Sequence, residues 1–245
     1  MNQILVVDLP SGPYGLAAGP DGAIWATLVH SGQIARVAED GEVTLYDVAP
    51  GSKPSIITAG PDGAMWFTRN GDDRIGRITI DGALSEIDLP FGSAPFGITV
   101  GPGSALWFTA MSSGVIGRVD LDGTVTEVAR PGGMPSMITA GPDGALWFTL
   151  NEANAVGRLE PSGSLRLREV PTRRSGPVGI AATHDDAIWF TEVLADKVGR
   201  IPTDEAIQEL DLPGKPHAVV ADPSGGCGSA CGAPTRWPGS PPTVR

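Results

Sequence analysis

The sequence predicts an all-β protein assembled from one repeated unit, and three observations predict it. The phrase Gly-Pro-Asp-Gly-Ala-Met-Trp-Phe-Thr at 60–68 returns almost unchanged at 141–149. Five tryptophans follow one another at intervals of 41, 41, 40 and 42 residues. Gly and Pro are abundant, with 34 and 23 residues, as expected where turns join many short strands. A period of this length with an all-strand unit is typical of the blades of a β-propeller.

Each repeat predicts four strands, and the second repeat shows the pattern most fully. A short apolar run follows Pro54, and Asp62-Gly63 and Asp81-Gly82 lie between alternating runs. Asp-Gly is a strong hairpin pattern, because glycine adopts positive φ without a steric penalty. The predicted strands of this repeat cover 55–59, 64–68, 74–79 and 83–89.

Two recurring residues indicate how the repeats pack. The tryptophan of each repeat is large, apolar and carries one donor, so we interpret it as core rather than as a ligand platform. The glycine of the recurring Ile-Gly-Arg phrase predicts a close backbone approach between strands or blades. The tryptophans are Trp25, Trp66, Trp107, Trp147 and Trp189.

The repeat also sets the predicted boundaries. Residues 4–10 resemble a spare fourth strand that would close a propeller by pairing into its last blade and removing exposed edges. We predict a propeller at 1–222, with blades at about 11–50, 51–91, 92–131, 132–172 and 173–213 and a partial blade at 214–222. We predict an irregular tail at 223–245.

That tail contains both cysteines, Cys227 and Cys231, and no strand periodicity. We interpret it as out-of-frame sequence replacing the true ending; a natural disordered tail is the alternative. Cysteine-free sequence elsewhere suits a reducing compartment, and no signal peptide or membrane-length apolar run is visible, so we expect a cytoplasmic monomer. The net charge of −11 without a Lys/Arg cluster argues against nucleic-acid and anionic-membrane partners.

One position varies between repeats while its neighbours stay constant. A proline opens each predicted first strand, and the residue after it is called here the post-proline residue. Innermost propeller strands line a central channel, so these residues predict a ring at one mouth that fits a small polar-aromatic ligand. The post-proline residues are Tyr14, Ser55, Phe96, Ser136, Val178 and His217.

His217 and Tyr14 are the predicted binding residues of this ring. An imidazole can exchange a proton or hold an ester carbonyl near neutral pH, although a merely structural hydrogen bond is the alternative. Packing is the alternative for Tyr14. The remaining candidates, His30, His184, Glu152 and Glu192, are expected to be solvated. No zinc-type motif and no nucleophile elbow is present in the sequence.

The ordered series of strand openings resembles the virginiamycin B lyase (streptogramin lyase) family over residues 1 to about 222. The phrases that carry the resemblance are Gly-Pro-Tyr-Gly-Leu at 12–16, Ala-Pro-Phe-Gly-Ile at 94–98, Gly-Pro-Val-Gly-Ile at 176–180 and Lys-Pro-His-Ala at 215–218. The resemblance implies a seven-bladed propeller. It also implies lyase chemistry, in which a base removes the proton α to the threonyl carbonyl of a cyclic depsipeptide antibiotic and the lactone carboxylate leaves without hydrolysis.

The resemblance implies substrate contacts for His217 and Tyr14, which match the sixth-blade His and first-blade Tyr of the family. It also implies Mg²⁺, which would polarise carbonyl oxygen. The family's catalytic base and metal-binding glutamates lie in a seventh blade, so neither a catalytic residue nor a metal ligand is assigned in this sequence. We therefore expect five complete blades plus the start of a sixth, and little or no activity from this chain. A non-catalytic binding propeller and a lactone hydrolase are the alternative hypotheses.

Overall fold

The computed structural model describes residues 5–183, 185–202, 206–221 and 227–231. The chain divides into two compact units, and the boundary between them lies between Gly132 and Gly133. Within the described ranges, five sheets have four antiparallel strands each and a sixth has two, and each sheet takes its strands in chain order. The strands and their order agree with the predicted repeat.

The first unit contains three four-stranded sheets. They comprise β1 Leu16–Ala18, β2 Ile24–Leu28, β3 Gln33–Val37 and β4 Val43–Asp47; β5 Pro54–Ala59, β6 Met65–Arg69, β7 Arg74–Ile78 and β8 Leu84–Asp88; and β9 Pro95–Gly101, β10 Ala105–Ala110, β11 Val115–Val119 and β12 Val125–Ala129. A short 3-10 helix, Pro102–Ser104, joins β9 to β10.

The second unit contains two four-stranded sheets and one two-stranded sheet. They comprise β13 Pro135–Ala140, β14 Leu146–Leu150, β15 Ala155–Leu159 and β16 Leu165–Glu169; β17 Pro177–Ala182, β18 Ile188–Glu192, β19 Lys197–Ile201 and β20 Gln208–Asp211; and β21 Pro216–Ala221 with β22 Cys227–Cys231.

The second strand of each four-stranded sheet is the most deeply buried. Every residue of β6 is buried, and Trp66 is only 1% exposed. In the first unit Trp66 and Ile75 pack with Leu106 and Phe108 of the following sheet. All five repeat tryptophans are at most 8% exposed, which confirms their interpretation as core residues. Burial on both faces explains why these strands read as continuous apolar runs.

The aspartate of the Pro-Asp-Gly turn has a second role. Asp62 accepts hydrogen bonds from Trp66 Nε1 at 2.9 Å and from Arg77 Nε at 2.7 Å. The Arg77 guanidinium also lies 5.8 Å from the Trp66 ring centroid, a cation–π distance. Burial by itself would raise the pKa of Asp62, but these hydrogen bonds outweigh it and hold the pKa below its usual range. The turn therefore ties the second strand to the third.

The repeated glycine allows a close approach within a sheet. Gly76 pairs with Phe67 across strands, and a Cβ at Gly76 would overlap the Phe67 ring. The predicted close approach is therefore to an aromatic ring of the neighbouring strand. In the first sheet the corresponding pair is Ala26 and Ala35, so the phenylalanine and the glycine change together.

The structure differs from the prediction at both ends of the described chain. Residues 5–10 do not form a strand, and Leu9 packs against the first sheet beside Ala26, Leu28 and Ala35. Apolar packing without a partner strand leaves the segment irregular, because a strand requires a backbone ladder. Ile4 and the remaining residues of the predicted tail lie outside the described ranges.

The second difference is β22, which falls where an irregular tail was predicted. Its residues pair antiparallel with β21, for example Val219 with Ser229. Backbone hydrogen bonds hold this pairing, so small residues such as those at 228–230 can form it without the usual strand periodicity. In the part of the chain described here, no helix has the length and apolar character needed to cross a membrane.

Candidate functional site

Five of the six post-proline residues lie at β-bulges, whereas Tyr14 precedes β1, whose pairing with β2 has no register shift. In the second sheet Pro54 pairs with Arg69 and Ile57 with Phe67, so the register shifts across Ser55 and Ile56. The same shift occurs at the start of β9, β13, β17 and β21. A bulge re-aims the side chain that it carries and interrupts the ladder of hydrogen bonds. The repeat therefore sets these residues apart from the rest of their strands.

A buried threonine repairs the interrupted ladder. Thr191, which is fully buried, accepts a hydrogen bond from Gly179 N at 2.8 Å and donates one to His217 O at 3.2 Å. Thr68 likewise accepts from Ile56 N at 3.1 Å and donates to Phe96 O at 2.6 Å. Each hydroxyl thus joins its own first strand to the post-proline carbonyl of the following sheet.

The sequence prediction missed this threonine, although its pattern was visible. It ends each Trp-x-Thr phrase in a strand whose other positions are almost all apolar, and its regular recurrence required an explanation. The five threonines are Thr27, Thr68, Thr109, Thr149 and Thr191.

Two post-proline residues meet in the first unit. The Tyr14 and Phe96 rings lie 6.1 Å apart between centroids in an edge-to-face arrangement. Tyr14 belongs to the first repeat and Phe96 to the third, so positions two repeats apart converge. The Tyr14 side chain remains partly exposed, and burial raises the pKa of its phenol. A protonated hydroxyl can donate a hydrogen bond to a carbonyl oxygen.

His217 lies in the second unit, as the second residue of β21, and is exposed. Its carbonyl is held by Thr191, while the neighbouring Val219 is buried against Trp189 and Leu212. Tyr14 and His217 belong to different units, and a binding site that they share stays a prediction.

Glu192 was expected to be solvated, and this prediction was wrong. It ends β18 with 0% exposure, and no donor among the described residues has hydrogen-bond geometry to either carboxylate oxygen. Burial raises the pKa of Glu192 to about 7, and the negative charge of Glu209 adds to the shift. The nearby Ser175 hydroxyl acts in the opposite direction on the pKa, but its one proton is donated to Asn154 Oδ1. A carboxyl group that titrates near neutral pH is thus buried in the fifth sheet.

The other candidates differ from Glu192. Glu152 and His30 are exposed, as expected, and His184 lies outside the described residues. Within the described ranges, no three His, Cys, Asp or Glu side chains form a group that could hold a metal ion. The described residues therefore do not fit the magnesium site that the resemblance implies.

Repeated four-stranded antiparallel sheets with buried Trp-x-Thr strands define an all-β repeat protein of the β-propeller type. Comparison with known sequences identifies its family. The family model "Virginiamycin B lyase family" matches residues 1–230, and the chain belongs to this family. A virginiamycin B lyase from Mycolicibacterium smegmatis is 80% identical over 221 residues, covering 90% of this chain and 78% of that protein.

Solved structures agree with the family. Virginiamycin B lyase from Staphylococcus aureus superposes with a TM-score of 0.83 at 42% identity, covering 87% of this chain and 75% of that one. A catalytically inactive histidine-to-alanine variant of virginiamycin B lyase from that organism, crystallised with quinupristin, has a TM-score of 0.83 and 43% identity over the same shares. The likeness covers both the fold and the sequence.

Proposed function

We propose that this chain binds type B streptogramins and that its reaction class is the opening of the cyclic depsipeptide lactone by elimination, with little or no turnover expected because no described residue is assigned as the base. The observation that carries the proposal is the 80% identity to a virginiamycin B lyase over 90% of the chain. The crystallised relative with quinupristin supports a streptogramin-type small molecule as the substrate.

We infer that the repeats belong to a seven-bladed ring with the blade boundaries predicted from the sequence. The five four-stranded sheets supply the blade unit, and β21 with β22 supplies the first two strands of a sixth. In such a ring the bulged first strands would face the axis. The edge-to-face contact between Tyr14 and Phe96 supports this arrangement in the first unit.

In this proposal Tyr14 and His217 bind the substrate. The raised pKa of Tyr14 keeps its phenol protonated at neutral pH, so it can donate to a carbonyl or amide oxygen of the depsipeptide. The exposed imidazole of His217 can hold the ester carbonyl as a donor. Both residues orient the lactone, and orientation of the scissile bond accelerates the elimination.

The reaction itself balances without water. A base removes the proton α to the threonyl carbonyl, the electron pair forms a carbon–carbon double bond, and the C–O bond of the ester breaks to release the carboxylate. None of the described residues is assigned as this base. The family resemblance implies Mg²⁺, which supplies Lewis-acid polarisation when bound. No step of the proposal runs through it, because the described residues form no metal-ligating group.

We further propose a monomer that works in the cytoplasm. The net charge of −11 and the lack of a Lys/Arg cluster in the sequence disfavour nucleic acid and anionic membranes as partners.

The test uses the full chain with quinupristin, measuring binding by calorimetry and products by mass spectrometry. Elimination leaves the mass of the opened antibiotic unchanged, whereas hydrolysis adds one water. We expect binding, and about tenfold weaker binding in His217→Ala and Tyr14→Phe, since each loses one hydrogen bond to the ligand. His30→Ala, which alters an exposed histidine, is the matched control.

Failure of the native chain to bind quinupristin would refute the proposal. A product heavier by one water would replace the lyase with a lactone hydrolase, and rapid lactone opening by this chain would contradict the expectation of little or no activity.

A further inference from the structure

We propose that Thr191 is a positioning residue for His217, and that its hydroxyl fixes the backbone from which the imidazole projects. The inference rests on the proposed function only in taking His217 as a substrate-binding residue. Thr191 is fully buried and does not belong to the ring of post-proline residues. It would act through the backbone of β21.

The geometry at Thr191 leaves its hydroxyl one use as a donor. A hydroxyl has a single proton, and here it goes to His217 O at 3.2 Å while the oxygen accepts from Gly179 N at 2.8 Å. The hydroxyl therefore connects the bulge of the fifth sheet to the bulge of the sixth. Removing it would leave a partly buried carbonyl and a buried N–H without their threonine partner.

The two bulges also approach closely. A Cβ at Gly179 would lie 2.7 Å from His217 O and 3.1 Å from Ala218 Cα, closer than side chains tolerate. Glycine at 179 thus lets the two peptides face each other with only the threonine hydroxyl between them. The His217 backbone thus lies close to Gly179 and is hydrogen-bonded by Thr191.

The arrangement continues one repeat back in the same unit. Thr149 accepts from Met137 N at 3.2 Å and donates to Val178 O at 2.6 Å, and the peptide of Val178 and Gly179 then donates to Thr191. Hydroxyls and peptides alternate in one hydrogen-bonded series that ends at the His217 carbonyl. Hydrogen bonds in such a series polarise and strengthen one another.

The threonine at this repeat position holds post-proline residues of different chemistry. It therefore positions the backbone without selecting the side chain that would contact a ligand. In the first unit Thr27 donates to Ser55 O and Thr68 donates to Phe96 O, each at 2.6 Å. The hydroxyl binds the main-chain carbonyl, which every residue has, so the side chain at the post-proline position is free to vary. The fold thus presents different side chains in one backbone geometry.

The test compares three variants of the full chain: Thr191→Val, Thr191→Ser and Thr68→Val. Valine keeps the shape of threonine and removes its hydroxyl, serine restores the hydroxyl, and Thr68→Val makes the equivalent change in the other unit. The readouts are the imidazole NMR resonances, with His217 assigned by His217→Gln, the Tm, and the Kd for quinupristin. The chain has 3 histidines, so the resonances can be resolved.

We expect both valine variants to lower the Tm by a similar amount. Only Thr191→Val should shift the His217 resonances, and it should weaken quinupristin binding about tenfold, the value of one well-placed hydrogen bond. Thr191→Ser should restore both to near the native values.

The inference is overturned if Thr191→Val leaves the His217 resonances unchanged, or if Thr68→Val shifts them equally. If the resonances follow Thr191 but the native chain binds no quinupristin, the positioning role stands and the proposed substrate is wrong.

Discussion

The second and fifth sheets place opposite charges at the same buried position. Arg69 ends β6 opposite Arg74, and Glu192 ends β18 opposite Lys197. Arg69 is 3% exposed and forms ion pairs with Asp72 and Glu86. Glu192 is equally buried, but the cation opposite it is engaged elsewhere.

Lys197 donates to Glu209 at 3.1 Å and to Thr172 at 3.0 Å. The fourth strands match, since Glu86 pairs with Gly76 and Glu209 with Gly199. The second sheet therefore surrounds its buried Arg69 with carboxylates of opposite charge. The fifth sheet instead places a second carboxylate, that of Glu209, near its buried Glu192. One backbone position accepts a buried charge where partners surround it, and favours the neutral form where they do not.

The largest expected effect is the pH dependence that Glu192 gives to stability. Its pKa is about 7 in the fold against an ordinary value of 4.5, so the folded chain holds the proton more tightly. The folded state therefore loses stability as pH rises from about 4.5 to about 7, by up to about 3 kcal/mol, at about 1.4 kcal/mol per pKa unit. In Glu192→Gln this loss should disappear, as measured by urea unfolding at pH 5 and pH 8.

Glu152→Gln is the matched control, because Glu152 is exposed. It should leave the pH dependence as in the native chain. The same slope in Glu192→Gln and the native chain would contradict the assignment.

The second prediction compares removal of the positive charge of Arg69 with removal of the carboxyl group of Glu192. Leucine occupies the equivalent position in the first and fourth sheets, where Leu28 and Leu150 are fully buried. Arg69→Leu removes the ion pairs of Arg69 with Asp72 and Glu86, which keep only Arg74 as a cationic partner, and should lower the free energy of unfolding by about 2 kcal/mol at pH 8. This is less than the roughly 3–5 kcal/mol for a fully buried pair, because both carboxylates remain partly exposed. Glu192→Leu should not destabilise the chain at this pH.

Both variants are measured by urea unfolding under the same buffer conditions. Equal losses in the two would show that side-chain volume, rather than charge, decides the position.

The smallest effect concerns the turn aspartates of the two sheets. Asp62 accepts from the buried Trp66 indole as well as from Arg77, whereas the more exposed Asp185 is held by Arg200 and Thr183. Asp62→Ala should cost about 1–2 kcal/mol, since it leaves a buried donor unpaired. Asp185→Ala should cost less than about 1 kcal/mol, the range of surface ion pairs. Thermal unfolding of both variants checks the difference, and Asp62→Asn, which keeps an acceptor, should lose less than Asp62→Ala.

Much of the fold could be predicted because the repeated unit is visible as a regular pattern in the sequence. The tryptophan intervals, the Asp-Gly turns and the apolar second strands predict the four-stranded sheets that the structure contains. The secondary structure was predicted less well at the two ends of the repeat pattern. Leu9 packs without forming a strand, and Cys227–Cys231 forms a strand without periodicity.

The candidate site was only partly predictable. Tyr14 and His217 stood out because their positions vary within constant surroundings. Thr191 did not stand out, because its role depends on a carbonyl contributed by another sheet. Glu192 could not be assigned, because it lies between β17 and β19 and its pKa depends on Glu209 and Ser175, which are distant from it in sequence.

The order of residues by itself determined the unit of this protein: strand, turn and the alternation of buried and variable positions, all of which are local. Tertiary structure alone decided which groups meet across sheets. Ionisation of Glu192 and the hydrogen bond between Thr191 and His217 both depend on distances between residues well separated in sequence. Desolvation and hydrogen bonding act only when the folded chain brings these residues together. The order of residues along the chain does not specify the distances between them.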